Sequence, residues 1–237
     1  MPNYATIELQ LTETLHLRRR PVAVSFLDQE PAAPAKFAGS MPSGCSFWRL
    51  AAAGQSFYTV PSDHLNCPIG SYTHSISLPE ARRAELTATL TLMTEIGYIS
   101  MDEVPGIPRL DQTPAAIAYA PLGDATISPD VVLVAGRPGS LMLLQEAAQR
   151  AGITSALPLM MRPTCMALPA ALKSGLIVSA GCIGNRVYTD IGEEELYAAI
   201  PGKDLESLAE ALQTVAQANA TLRQYHEDRR RQMATAS

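Results

Sequence analysis

Apolar residues recur at helical spacing at the start of the chain, where Tyr4, Ile7, Leu11 and Leu15 fall on one face of residues 3–17. With Asn3 placed to cap them, they predict a first amphipathic helix. Arg18-Arg19-Arg20 follows and reads as a solvated helix end that suits the dipole, with an anion contact as the sharper alternative. The period then changes. The apolar run 21–27 predicts a strand, and the Pro/Ala/Gly-rich stretch 28–44 a loop. Ser46–Ala53 reads as a short helix opening at Cys45, and Phe57-Tyr58-Thr59-Val60 as a strand. Over Glu80–Ile96, bounded by Pro79 and Gly97, residues Ala84, Leu86, Leu90, Met93 and Ile96 predict a helix with that face inward. Residues 101–113 read as a connecting loop.

The remainder repeats the alternation. Residues 115–120 and 131–135 are strand-like, Ser140–Ala151 is a helix, Thr164–Leu172 is a helix at Cys165, Gly175–Ala180 is a strand, and Glu195–Ile200 is another. Lys203 to about Arg230 is a long helix with Leu205, Leu208, Leu212, Val215 and Leu222 on one face. Gly136-Arg137-Pro138-Gly139 joins a strand to a helix but lacks both phosphate-loop and dinucleotide-loop spacing, so phosphate binding is the lesser reading there. The irregular alternation fits α+β or α/β, in one domain over 1–237.

Two stretches repeat each other. Cys45 runs through an Ala-rich segment and Gly54 to Cys67-Pro68-Ile69-Gly70; Cys165 runs through another and Gly175 to Cys182-Ile183-Gly184. Apolar runs precede both, at 21–26 and 130–135, and all four cysteines of the chain occupy these matched positions. The pattern predicts an internal duplication, with repeats over about 21–75 and 130–190. Two such halves packed about a pseudo-two-fold axis would bring equivalent loops together. Four converging thiols are the ligand set of a 4Fe-4S cluster or a tetrahedral zinc site.

The start Cys45-Ser46-Phe47-Trp48, the turn Asp63-His64-Leu65-Asn66-Cys67-Pro68-Ile69-Gly70 and the turn Gly181-Cys182-Ile183-Gly184-Asn185-Arg186 resemble the uncharacterised ArCR family, domain of unknown function 169. The resemblance runs from roughly Leu15 to Leu208. It implies a prokaryotic cytoplasmic protein and no particular chemistry.

Composition narrows the classes. The net charge of −5 offers no basic field for nucleic acid, and no apolar run nears the roughly 18 residues of a membrane span. The first residues, Met1-Pro2-Asn3-Tyr4-Ala5, lack a signal-peptide pattern, so the expected compartment is the cytoplasm and the cysteines are expected as thiols or metal ligands.

The sequence therefore predicts a cluster held by Cys45, Cys67, Cys165 and Cys182. Gly70, Gly181 and Gly184 would let backbone N–H groups approach sulfur, and Arg186 would add charge or contact an anion. Thiols bind metal as thiolates, so these flanks are expected to lower their pKa. A redox partner or small-molecule substrate is expected, and a homodimer is compatible with the chain. One alternative is a cluster-free thiol enzyme with Cys67 as nucleophile, His64 as base and Asp63 beside it, working on a small molecule between the halves. A zinc or metal-maturation protein and four inert core thiols are the others. Trp48 reads as core, with covering a cofactor as its minority role, and His64 as a turn residue.

Overall fold

The apolar runs become the strands of a single sheet in the computed structural model, which describes residues 2–155, 159–160 and 162–235. These strands are β1 (Val22–Leu27), β2 (Phe57–Thr59), β3 (Ala116–Pro121), β4 (Val131–Gly136), β5 (Ile177–Ser179) and β6 (Leu196–Pro201). They lie in the order β2-β3-β1-β4-β6-β5. Every pairing in it is antiparallel, which settles the class as α+β rather than α/β. At the centre β1 meets β4 with Val22 opposite Leu133, Ala23 opposite Val132 and Val24 opposite Val131.

Alternate residues of each strand point to opposite faces, and helices cover both. Ala23, Val132, Val134, Ala198 and Ile200 pack under α1 (Tyr4–Leu15), α5 (Pro138–Arg150) and α8 (Leu205–Thr235). Val22, Val24, Tyr119, Leu133 and Ala199 pack under α2 (Ser46–Ala52) and α6 (Ala167–Ser174). This double cover explains why β3 and β4 are buried along their whole length and read as continuous apolar runs. Helix α1 shows how the outer layer holds. Asn3 caps it by accepting from the Thr6 N–H at 3.1 Å, and it buries Ile7, Leu11 and Leu15. At roughly 1.5–3 kcal/mol per buried aliphatic side chain, that face outweighs the marginal intrinsic stability of a helix this short.

Other segments depart from the sequence expectation. The three arginines after α1 are not simply solvated: Arg18 pairs with Glu194 at 2.5 Å, Arg20 with Glu8 at 2.6 Å and Asp124 at 2.8 Å, and Arg19 donates to the Thr189 carbonyl at 3.3 Å. Arg18 and Arg19 tie the β1 entry to residues 189–194, and Arg20 ties it to α1 and to the turn after β3. Two short helices, α3 (Pro68–Thr73) and α7 (Ile183–Thr189), begin directly after Cys67 and Cys182, where only turns were expected. Their six and seven residues are too few to show a periodicity. Residues 101–106, expected as loop, form a 3-10 helix capped by Ser100.

The largest departure is α4 (Glu80–Glu95). It is a helix over nearly the predicted span, but none of its residues is buried. The expected inward face is only half-covered at Leu86, Leu90 and Met93, and Ile96 is 67% exposed. The helix stands over a cavity instead of over the core. With the 3-10 turn behind it, α4 forms a strap between α3 and β3.

Gly175 shows a local requirement. It ends α6 at φ +91°, and a Cβ there would stand 2.1 Å from the Thr154 carbonyl oxygen. Gly175→Ala is therefore expected to cost at least about 2 kcal/mol, combining left-handed strain with displacement of backbone. A thermal melt should show Tm lowered by roughly 4–8 °C for a chain of this size; an unchanged Tm would mean that this backbone shifts freely.

Candidate functional site

Each of the four cysteines stands at the N-terminal end of a short helix. Cys45 precedes α2, Cys67 caps α3, Cys165 lies in the 164–166 turn that leads into α6, and Cys182 precedes α7. The helices cross between the chain's halves: α2 packs on α7, and α3 packs on the 164–166 turn. That crossing brings all four thiols onto the wall of one cavity of about 780 Å³. None of the four is in a disulfide.

Local backbone chemistry holds the sulfurs in place. Cys67 Sγ accepts from the Gly70 N–H at 3.3 Å, closing the first turn of α3. Gly70 is needed there, since a Cβ would stand 2.9 Å from that sulfur. Cys45 Sγ lies 3.1 Å from Ser43 Oγ, which also meets Ser46 Oγ at 3.0 Å. The Cys182 N–H donates to Thr164 Oγ1, linking the two cysteine segments of the second half.

The cavity does not favour ionised thiols by itself. Burial pushes Cys45 up to about 11, against the pull of Ser43, and the neighbouring Cys67 and Cys182 add to the rise. Burial likewise raises Cys67, and raises Cys165 well above the ordinary thiol value, with the other cysteines contributing. The Gly70 N–H does pull Cys67 down, as the flanking glycines lead one to expect, but burial outweighs it. Desolvation disfavours the thiolate more than one or two hydrogen bonds favour it. Four thiolates here would need a positive charge among them.

The remaining expected site residues fall in different places. Gly181 takes φ +79° beside Asn185, and Gly184 lines the cavity, where a Cβ would stand in ordinary contact with the Tyr188 ring at 3.8 Å. Arg186 turns to the backbone, donating to the carbonyls of Ala180, Gly192 and Glu195 at 2.6, 3.0 and 3.0 Å. It clamps α7 to the β6 entry and does not line the cavity. Trp48 is core, 3% exposed and edge-on to Tyr197.

The Cys–His–Asp arrangement is not assembled. Asp63 accepts from the Val60 N–H at 2.8 Å, and His64 Nε2 meets Thr59 Oγ1 at 2.8 Å. His64 and His74 are both fully buried, 5.7 Å apart between ring centres, and burial depresses them to about 3 and about 4. Their unbonded nitrogens, His64 Nδ1 and His74 Nε2, have no partner among the described residues.

Asn185, between Gly184 and Arg186 in the second cysteine motif, is a site residue that the sequence does not single out. It is 2% exposed, lines the cavity, and has neither amide atom in a regular hydrogen bond among the described residues. It stands beside Cys45, whose ionised sulfur it would stabilise. Buried amides are normally hydrogen-bonded, so Asn185 keeps bonding capacity on the cavity wall beside Cys45. No three His, Cys, Asp or Glu side chains among the described residues are grouped tightly enough to hold a single metal ion. Nor is any described helix long and apolar enough to cross a membrane.

A protein of Methanocaldococcus jannaschii, described as uncharacterized, is 26% identical over 168 residues, spanning 67% of this chain and 70% of the relative. No solved structure matches the chain. The family model described as Uncharacterised ArCR matches residues 10–211, which include all four cysteines, both cysteine turns and the whole sheet, and the chain therefore belongs to the ArCR family.

Proposed function

We propose that the protein binds a 4Fe-4S cluster through Cys45, Cys67, Cys165 and Cys182, in a redox or substrate-binding role in the cytoplasm. The observation that carries this reading is that all four thiols of the chain line one cavity, each presented from a helix start. A cubane cluster takes each thiolate on a different iron, so its ligands stand farther apart than those around one ion. This suits four sulfurs that share a cavity without forming a single-ion group. The cluster's iron would supply the positive charge that four buried thiolates lack. Gly70, Ser43 and Asn185 would donate to the sulfurs, as ligand sulfurs in such sites generally require.

The two halves are read as a duplication, and four observations support it. The sheet order repeats second-third-first from each end toward the β1–β4 pair. Val22 pairs with Pro121 and Val131 with Pro201, both prolines ending a strand before a 3-10 turn, so Val22 and Val131 are equivalents. The central register then places Ala23 opposite its own equivalent, Val132, where a two-fold would pass. Contacts of the Cys45 helix with the Cys182 helix, and of the Cys165 turn with the Cys67 helix, are the pair such an axis would generate.

The cluster-free enzyme is less well supported. A nucleophilic cysteine works as a thiolate near neutral pH, and burial opposes that at Cys45, Cys67 and Cys165.

The deciding experiment is an iron and acid-labile sulfide assay on protein purified without oxygen. About four of each per chain, with broad visible absorbance, is the expected result. Colourless, iron-free protein that also refuses reconstitution would end the proposal. Because the thiols must lose their protons to bind metal, reconstitution of apo protein should improve from pH 7 to pH 9.

A further inference from the structure

The cavity extends well past the cysteines. Its volume of about 780 Å³ falls within the roughly 300–1,000 Å³ of pockets that enclose organic ligands. Cysteine-bearing helix starts form its floor, and Leu86, Leu90 and Met93 of α4 form the opposite wall. Since α4 buries none of its residues in the protein, its apolar face is turned onto this space and not onto a core. The strap is tied down across the mouth: Arg162 pairs with Glu103 at 3.3 Å and lies over the Tyr98 ring at 5.0 Å. Arg162 and Glu103 are the charged groups on the cavity wall among the described residues, and they are paired with each other. The second half has no counterpart of the strap, because only a few residues separate α7 from β6 where 42 separate α3 from β3.

We propose that the strap encloses a binding site for a neutral, largely apolar small molecule, held against the cysteine floor. A charged ligand would find no free counter-charge there, and an apolar one would cover Leu86, Leu90 and Met93 where water now reaches them. The outward side of the same helix carries Leu92, 57% exposed, which serves as a built-in control. The site shares its cavity with the proposed cluster but does not rest on it, and the two are tested by different readouts.

The test is a fluorescence titration of the full chain with Nile red, a neutral apolar dye, on both anaerobically purified and chelator-treated protein. Saturable binding of one dye per chain with a blue-shifted emission is expected in both forms. Leu90→Asp should weaken it at least about tenfold, the effect of placing a charge where an aliphatic contact was, while Leu92→Asp should leave it unchanged. Circular dichroism of both variants confirms that they fold. Absence of saturable binding would overturn the proposal. So would equal loss in both variants, or gel filtration showing that the wild-type strap is already covered in a dimer that excludes the dye. Iron assays on the anaerobically purified sample report separately on the cluster, so dye binding by protein that carries no iron as purified and refuses reconstitution would retain this site and refute the cluster.

Discussion

Replacing Cys67 and Cys182 together by serine is expected to remove all iron from anaerobically purified protein, and each single replacement to remove most of it. Both residues sit at helix starts: the Gly70 N–H donates to the Cys67 sulfur, and the Cys182 N–H donates to Thr164 Oγ1, which fixes the backbone that carries the second thiol. Serine keeps the size but replaces the soft thiolate by an alcohol that hardly ionises, so the iron–ligand bond is lost while the fold stays. Cys67 and Cys182 face the cavity, are partly exposed and belong to neither core cluster, so their substitution leaves the core packing in place. His64→Gln is the contrasting variant. His64 bonds Thr59, and nothing in its surroundings assigns it to the cysteine ligands, so iron content should be unchanged. An enzyme with a Cys67–His64 pair would behave oppositely, tolerating Cys182→Ser and failing with His64→Gln. Full iron in the Cys67→Ser/Cys182→Ser protein would mean that the metal is held elsewhere.

The second large effect is on stability in mild acid. His64 and His74 are depressed by burial to about 3 and about 4, below the ordinary histidine value of 6.5. The unfolded chain therefore takes up two protons near pH 6.5 that the folded chain refuses. The stability from keeping both rings neutral is complete above pH 6.5 and is lost progressively as pH falls toward 4 and then 3. At pH 5 the loss is about 2 kcal/mol for each histidine and about 4 kcal/mol for both, relative to neutral pH. Urea midpoints measured at pH 7.5 and pH 5 read this directly, in a window where carboxylates titrate little. His74→Phe, placed beside the Phe26 ring 5.8 Å away, should remove about half of the difference. Equal midpoints at the two pH values would show that protons reach these rings in the folded state.

Much of the architecture was legible along the chain. Helix α1 and its Asn3 cap, the strands at 22–27 and 131–136, and the long helix from Leu205 follow from the apolar period, because each buries a stripe or a run that only one element can cover. The pairing of the cysteines into two matched sets was also legible, since both were written in the same order of strand, cysteine, glycine, strand and cysteine. Helix α4 was legible as a helix but not in what it covers. Period shows which side of a helix is apolar, and it cannot show whether that side meets a core or a cavity.

The sequence by itself determined the strands and the longer helices, the four thiols and their placement at matched positions, because spacing and residue type are properties of the local chain; the short helices α3 and α7 were too brief to show a period. Tertiary structure decided that the strands pair antiparallel with β1 beside β4, since register depends on residues over a hundred positions apart. It also decided the thiols' chemistry. The Gly70 N–H lowers Cys67 as its place in the sequence suggests, but the burial created where α2 meets α7 and α3 meets the 164–166 turn raises Cys45, Cys67 and Cys165, because desolvation is set by everything packed around a group and not by its neighbours in sequence.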